Sequence, residues 1–175
     1  MTLRHTIRPA REQDVPAIVE MVHELAAYER AAEQCRLTGP QLHAALFAPR
    51  PEVYGHIATD PAGGPLAMML WFVNFSTWEG GHGIYLEDLF VRPAARGTGL
   101  GRAMLATLAA LCVRRGYQRL DWNVLDWNPA RAFYEGLGAK PVDNWVPYRL
   151  TGAALTSLAA TAEGGTAHHD VASTT

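Results

Sequence analysis

The run Tyr85–Gly101, YLEDLFVRPAARGTGLG, holds the residues of this chain best suited to chemistry. It reads as a buried strand that passes through a short loop into the start of a helix. Arg96, Gly97, Thr98, Gly99, Leu100 and Gly101 form the turn, which presents backbone N–H groups at the positive end of a helix and suits a pyrophosphate. Side chains larger than glycine would hold the backbone away from phosphate oxygens, and Arg96 adds a planar, permanently charged fork. No Gly-Lys-Ser/Thr follows, so this is not a Walker A loop, and the G-x-G-x-x-G spacing of dinucleotide folds is also missing. Upstream, Glu87 and Asp88 could accept a proton from a nucleophile, directly or through water. Neighbours on a regular strand face opposite sides, so both serve one cavity only if a bulge twists the strand there.

Hydrophobic periodicity supplies the scaffold. A strand starts at His5–Arg8, and Asp14 then caps a helix whose buried stripe is Val15, Ile18, Val22, Leu25 and Ala26. Thr38-Gly39-Pro40-Gln41 is a capping box opening a short helix. Val53–Thr59 and Leu66–Phe75 read as a hairpin around Asp60–Pro65. A strand over Gly83–Val91 follows, then a helix over Leu100–Arg115 stopped by Gly116. A strand at Arg119–Val124, a helix at Pro129–Leu137, a last strand at Trp145–Leu150 and a short helix at Thr151–Ala160 complete the series. The order β-α-α-β-β-β-α-β-α-β implies an α/β (α+β) fold, a mixed sheet with helices on both faces. Residues 1–160 are expected to form one domain, and 161–175 a disordered tail.

Composition excludes several classes. With 49% hydrophobic and 18% charged residues the chain is globular in balance rather than disordered. A net charge of −2 gives no general attraction to nucleic acid. No apolar run is long enough to span a bilayer, and the polar start is no signal peptide, so no membrane partner and a cytoplasmic location are expected. Cys35 and Cys112 read as reduced thiols, Cys112 buried on a helix. The seven histidines show no paired-ligand spacing, and no metal is expected.

A second run, Val124-Leu125-Asp126-Trp127-Asn128-Pro129-Ala130-Arg131-Ala132-Phe133-Tyr134, changes the weight of the first. Taken alone, Phe133 and Tyr134 read as core aromatics of an amphipathic helix. In the joint order of strand, phosphate-type loop, helix, strand, Asn and Phe-Tyr, the chain resembles the GNAT superfamily of N-acetyltransferases from about His5 to Leu158. Glu24-Leu25-Ala26-Ala27-Tyr28-Glu29, Ser76-Thr77-Trp78, Tyr85-Leu86-Glu87-Asp88 and Val124–Asn128 resemble the branch of diamine (spermidine/spermine) and thialysine acetyltransferases.

That resemblance implies a mixed, mostly antiparallel central sheet, acetyl-CoA as cosubstrate and a homodimer. It implies that Tyr134 protonates the departing thiolate, that Asn128 holds the pantetheine region, and that Arg96–Gly101 hold the pyrophosphate. The backbone amides of Leu89 and Val91 would bond the pantetheine and polarise the thioester carbonyl. Tyr28, Glu29, Trp78, Glu87 and Asp88 would meet the amine. Asn128 and Tyr134 stand six positions apart, one fewer than is usual in the family.

The chemistry asks for such groups in its own right. A primary amine of pKa near ~10 must lose a proton before attacking a thioester. Glu87 is taken as the base relay and Asp88 as an anchor for the substrate ammonium. A phenol suits protonation of the leaving sulfur, and strand amides suit an oxyanion. The expected reaction is acetyl transfer to a small diamine, polyamine or lysine-like amino acid, by direct attack in a ternary complex. Two alternatives stay open: a protein or peptide acetyltransferase, which needs an open groove, and a non-catalytic CoA-binding module, to which the shortened Asn128–Tyr134 interval would belong.

Overall fold

Ala67, Met68, Met69, Leu70 and Trp71 are consecutive and all no more than 5% exposed. An unbroken buried run on a strand means both of its faces are covered. In the computed structural model, which describes residues 4–142 and 145–163, this run lies in β3 (Pro65–Ser76), the centre of a five-stranded sheet. The order is β1 (Thr6–Pro9), β2 (Tyr54–Thr59), β3, β4 (Gly81–Val91), β5 (Leu120–Asp121). The first three pairings are antiparallel and β4–β5 is parallel.

The chain folds as two compact units divided between Leu125 and Asp126, and the whole sheet belongs to the first. On one face α1 (Val15–Tyr28) and α2 (Gly39–Phe47) bury Val15, Ile18, Met21, Leu42 and Leu46 against Ile57, Met68, Leu70 and Phe90. On the other lies α3 (Leu100–Arg115), through Leu100, Met104, Leu105, Leu108 and Cys112. The α/β class and the two-sided packing therefore agree with the sequence reading. The ends of α3 do as well: Gly99 and Gly116 take φ 87° and 67° at its two caps, where a Cβ would be strained.

Local differences have physical causes. Asp14 is the N-cap residue of α1, as expected, but its side chain makes no cap bond; its carboxylate accepts instead from Arg8 at 2.6 and 2.9 Å and from the Arg11 N–H at 2.8 Å. Those bonds hold its pKa below the usual range, the Arg8 bond most of all. The fifth strand, expected over Arg119–Val124, is only Leu120–Asp121, paired with Ile84 and Tyr85. It stops where β4 bulges.

The second unit holds α4 (Ala130–Glu135) and α5 (Gly152–Glu163). The strand expected over Trp145–Leu150 is absent: these residues have no regular structure. Pro147 lacks the N–H a ladder needs and explains the failure. Of the tail expected to be disordered, Thr161–Glu163 belong to α5, and the remainder lies outside the described residues.

Candidate active site

The pairing of β3 with β4 slips by one residue in the middle of the motif. Leu70 stands opposite Asp88, and Trp71 opposite Leu86, so Glu87 has no partner and forms a β-bulge. Directly paired residues share a face, which fixes the consequence. Asp88, opposite Leu70, and Tyr85, opposite Phe72, both turn to the α1 face, whereas regular alternation would have separated them. The Tyr85 ring stacks on Phe72 at 5.0 Å. Glu87 is exposed and Asp88 half-buried.

This arrangement perturbs the carboxylates. Burial pushes Asp88 up to about 6, and the charges of Glu87 and Glu29 add to the effect. Burial also raises Glu29. Tyr85 is raised by burial and then by the charges of Glu87 and Asp121. The structure thus gathers Glu29, Tyr85, Glu87 and Asp88 into one acidic group, with Tyr28 next to Glu29 at the end of α1. That end is built by a Schellman turn, in which the Ala31 N–H bonds the Ala26 carbonyl at 2.9 Å and the Arg30 N–H bonds Ala27 at 3.1 Å. Arg30 holds the left-handed position at φ 61° that glycine usually fills.

The bulge also opens the edge of β4. The Arg92 N–H bonds the Leu66 carbonyl at 2.9 Å, so alternation makes Phe90 and Asp88 the hydrogen-bonded positions and turns the N–H groups of Leu89 and Val91 away from β3. They point toward the side of β5, whose ladder has already ended at Tyr85. Two outward amides beside a splayed strand can bond an extended amide-bearing chain and polarise a carbonyl.

The loop after β4 fits an anion. Gly97 and Gly99 have φ of 73° and 87°, and a Cβ built on either meets nothing within 4 Å, so the space above both is open. Thr98 donates its hydroxyl to the Ala95 carbonyl at 2.7 Å, which tightens the turn. Gly101 lies in the first turn of α3, whose leading amides have no partner within the helix. Arg96 is exposed; its Nε donates to the Val91 carbonyl at 2.9 Å, and its guanidinium lies over the Tyr28 and Phe90 rings at 5.0 and 5.5 Å.

In the second unit, Asn128 is buried and its Oδ1 accepts from the Ala130 N–H at 2.9 Å, setting the start of α4. Tyr134 is half-buried on α4, its ring 5.3 Å from Phe133. Trp145 is 70% exposed.

Trp78 stands apart from the acidic group. It sits on the tip joining β3 to β4 and is 88% exposed. From Leu70↔Asp88 to Ser76↔Gly81 the ladder extends about 20 Å at ~3.3 Å per residue. Sequence reasoning missed Arg92, which bridges Glu20 and Glu24 of α1 at 2.7 Å each and ties α1 to the end of β4. The spacing of Glu20 and Glu24 on one helix face was the available signal, but nothing in the sequence names their partner.

Among the described residues, no group of three or more His, Cys, Asp or Glu is placed to hold a metal, and no helix is long and apolar enough to cross a membrane.

Comparison with known proteins places this geometry in context. The profile of the acetyltransferase (GNAT) family matches residues 18–139. The chain is 33% identical over 164 residues to the thialysine N-epsilon-acetyltransferase of Bos taurus, covering 87% of this chain and 96% of the relative. It is 28% identical over 197 residues to the L-ornithine N5-acetyltransferase NATA1 of Arabidopsis thaliana, covering 87% and 86%. Among solved structures, an integron cassette protein from the mobile metagenome of V. cholerae superposes with a TM-score of 0.73 at 26% identity, covering 89% of this chain and 97% of the other.

Proposed function

Because this chain belongs to the GNAT acetyltransferase family, and is thereby an acetyl-CoA-dependent N-acetyltransferase, we propose that its acceptor is the primary amine of a small diamine, polyamine or lysine-like amino acid, acetylated by direct attack in a ternary complex. The observation that carries this reading is the acidic group of Glu29, Glu87 and Asp88 at the end of α1 and the β4 bulge. Such a group suits a small cationic amine, and the thialysine and ornithine enzymes to which the chain is similar are named for amino acids of that kind. A family profile that runs from residue 18 to 139, across the division at Leu125, supports reading residues 1–160 as one functional domain.

Acetyl-CoA supplies the activated acetyl group. The first turn of α3 and the loop from Arg96 to Gly101 would hold its pyrophosphate, and the family resemblance implies Asn128 for the pantetheine. The N–H groups of Leu89 and Val91 bond the pantetheine and stabilise the charge that develops on the thioester oxygen, where such donors contribute a few kcal/mol. Asp88 is ionised above about 6 and anchors the ammonium with Glu29. Glu87, exposed on the bulge, relays the amine proton to water. The nitrogen then bonds the acetyl carbon and gives up its second proton to water as the C–S bond breaks; in the role the family resemblance implies, Tyr134 would give its phenolic proton to the sulfur and regain one from water. Tyr28 lines the amine channel. The place of Trp78 at an exposed hairpin tip favours packing at a homodimer interface over contact with the amine in its own chain.

The test is thiol release from acetyl-CoA with putrescine, spermidine, spermine, lysine, ornithine and thialysine. Selective release with one amine is expected. Silence across the panel, with acetyl-CoA still raising the melting temperature, would overturn the acceptor assignment and keep the cosubstrate.

A further inference from the structure

The guanidinium of Arg96 brings the proposed phosphate loop against Tyr28, the residue proposed to line the amine channel. Arg96 belongs to the loop, Tyr28 to the end of α1, and the two lie 5.0 Å apart from cation to ring centroid, with Phe90 at 5.5 Å on the same cation. The Nε–H is committed to the Val91 carbonyl at 2.9 Å, which fixes the plane of the fork against the end of β4. The remaining N–H donors of the fork lie outside that bond, and the face of the fork is given to the rings.

We infer that Arg96 is a positioning residue that couples the two substrates: seated on Tyr28 and Phe90 and pinned to Val91, it makes acetyl-CoA binding and the placement of Tyr28 interdependent. The inference rests on the reading of the loop and of Tyr28 given above, and it goes beyond a phosphate contact. A pyrophosphate on the outer donors of the fork holds the guanidinium in place, which holds the Tyr28 ring beside Glu29. By reciprocity, losing the ring costs affinity for CoA, although Tyr28 belongs to the acceptor side. Tyr28 is 38% exposed, and a cation–π contact with that much water around it supports an effect of about two- to fivefold.

The experiment is a calorimetric double-mutant cycle with CoA as the titrant, on the wild type, Tyr28→Met, Tyr28→Phe, Arg96→Ala and the Tyr28→Met/Arg96→Ala pair. Tyr28→Met is expected to weaken CoA about two- to fivefold, Tyr28→Phe to restore it because the ring remains, and Tyr28→Met to cost nothing further once Arg96 is gone. Wild-type CoA affinity in a folded Tyr28→Met protein, or losses that simply add in the double variant, would overturn the coupling. Should Tyr28→Met fail to fold, the reciprocal reading decides: Arg96→Ala at saturating acetyl-CoA raises the amine KM, and an unchanged KM overturns it. A protein that binds CoA yet acetylates no amine would sink the acceptor assignment and leave the CoA cycle readable. A cycle without coupling would sink the inference alone.

Discussion

Glu87 and Asp88 adjoin in the chain, yet the slip in β4 leaves Glu87 unpaired and exposed while Asp88 turns to the α1 face opposite Leu70. Two identical functional groups in consecutive positions therefore meet different environments. One stays in water and can exchange protons with it. The other is raised to about 6 by burial and by its neighbours, which suits an anchor that must be charged near neutral pH.

The first prediction follows from that value. Asp88 loses its charge as pH falls through about 6, so kcat/KM for the amine, which reports the free enzyme, should fall below that pH. Asp88→Asn should raise the amine KM about tenfold or more and remove this limb. A pH–kcat/KM profile of the variant that keeps the acidic limb would assign it to another group.

The same carboxylate should cost stability. Its pKa is raised on folding, from 3.8 to about 6, so the folded state binds more protons between those values, and the stability this group contributes at low pH is lost as pH rises through them. At pH 8 Asp88→Asn should therefore be more stable than the wild type by about 1–3 kcal/mol. Urea unfolding at pH 4 and pH 8 measures it; a variant no more stable at pH 8 would mean that Asp88 is better solvated than its position indicates.

Tyr134→Phe removes one oxygen from the half-buried ring on α4. If its phenol protonates the leaving sulfur, kcat should drop by about 10²-fold or more while CoA affinity stays nearly constant. Steady-state kinetics alongside CoA titration separates the two, and near-normal turnover would remove Tyr134 from the mechanism.

Arg96→Glu places a negative charge in the loop at the N-terminus of α3. CoA affinity should fall by about tenfold or more, and the loss should shrink as salt screens the repulsion. Isothermal titration at low and high ionic strength tests both parts, and an unchanged affinity would move the pyrophosphate elsewhere.

Gly83 is a purely structural case. A Cβ there would lie 2.6 Å from Arg119 Cγ and 2.7 Å from Asn74 Oδ1, beside the bond that Asn74 Nδ2 donates to Asp121 at 3.0 Å. Gly83→Ala should cost about 1–3 kcal/mol by overpacking, read as a lowered melting temperature; a Tm equal to the wild type would mean that Arg119 moves aside freely.

What the sequence determined by itself was whatever local chemistry enforces. Glycines at 97, 99 and 116 mark left-handed positions, and α3 runs between its expected ends. The Thr38 N–H bonds Gln41 Oε1 at 2.9 Å, as the capping pattern requires. The order of elements as far as α4, and the glycine turn after β4, were legible because each depends on a few adjacent residues. The tertiary structure decided what depends on partners distant in the chain. Whether Glu87 or another residue takes the bulge is set by the register against Leu70 and Trp71. The same ladder turns the Leu89 and Val91 amides away from β3. Trp145–Leu150 has strand-forming residues, yet without a ladder able to accommodate Pro147 it forms no strand. The seat of Arg96 on Tyr28, and of Arg92 between Glu20 and Glu24, joins residues far apart in sequence. A charge written in sequence carries no direction; packing of α1 against the end of β4 gives these guanidiniums theirs.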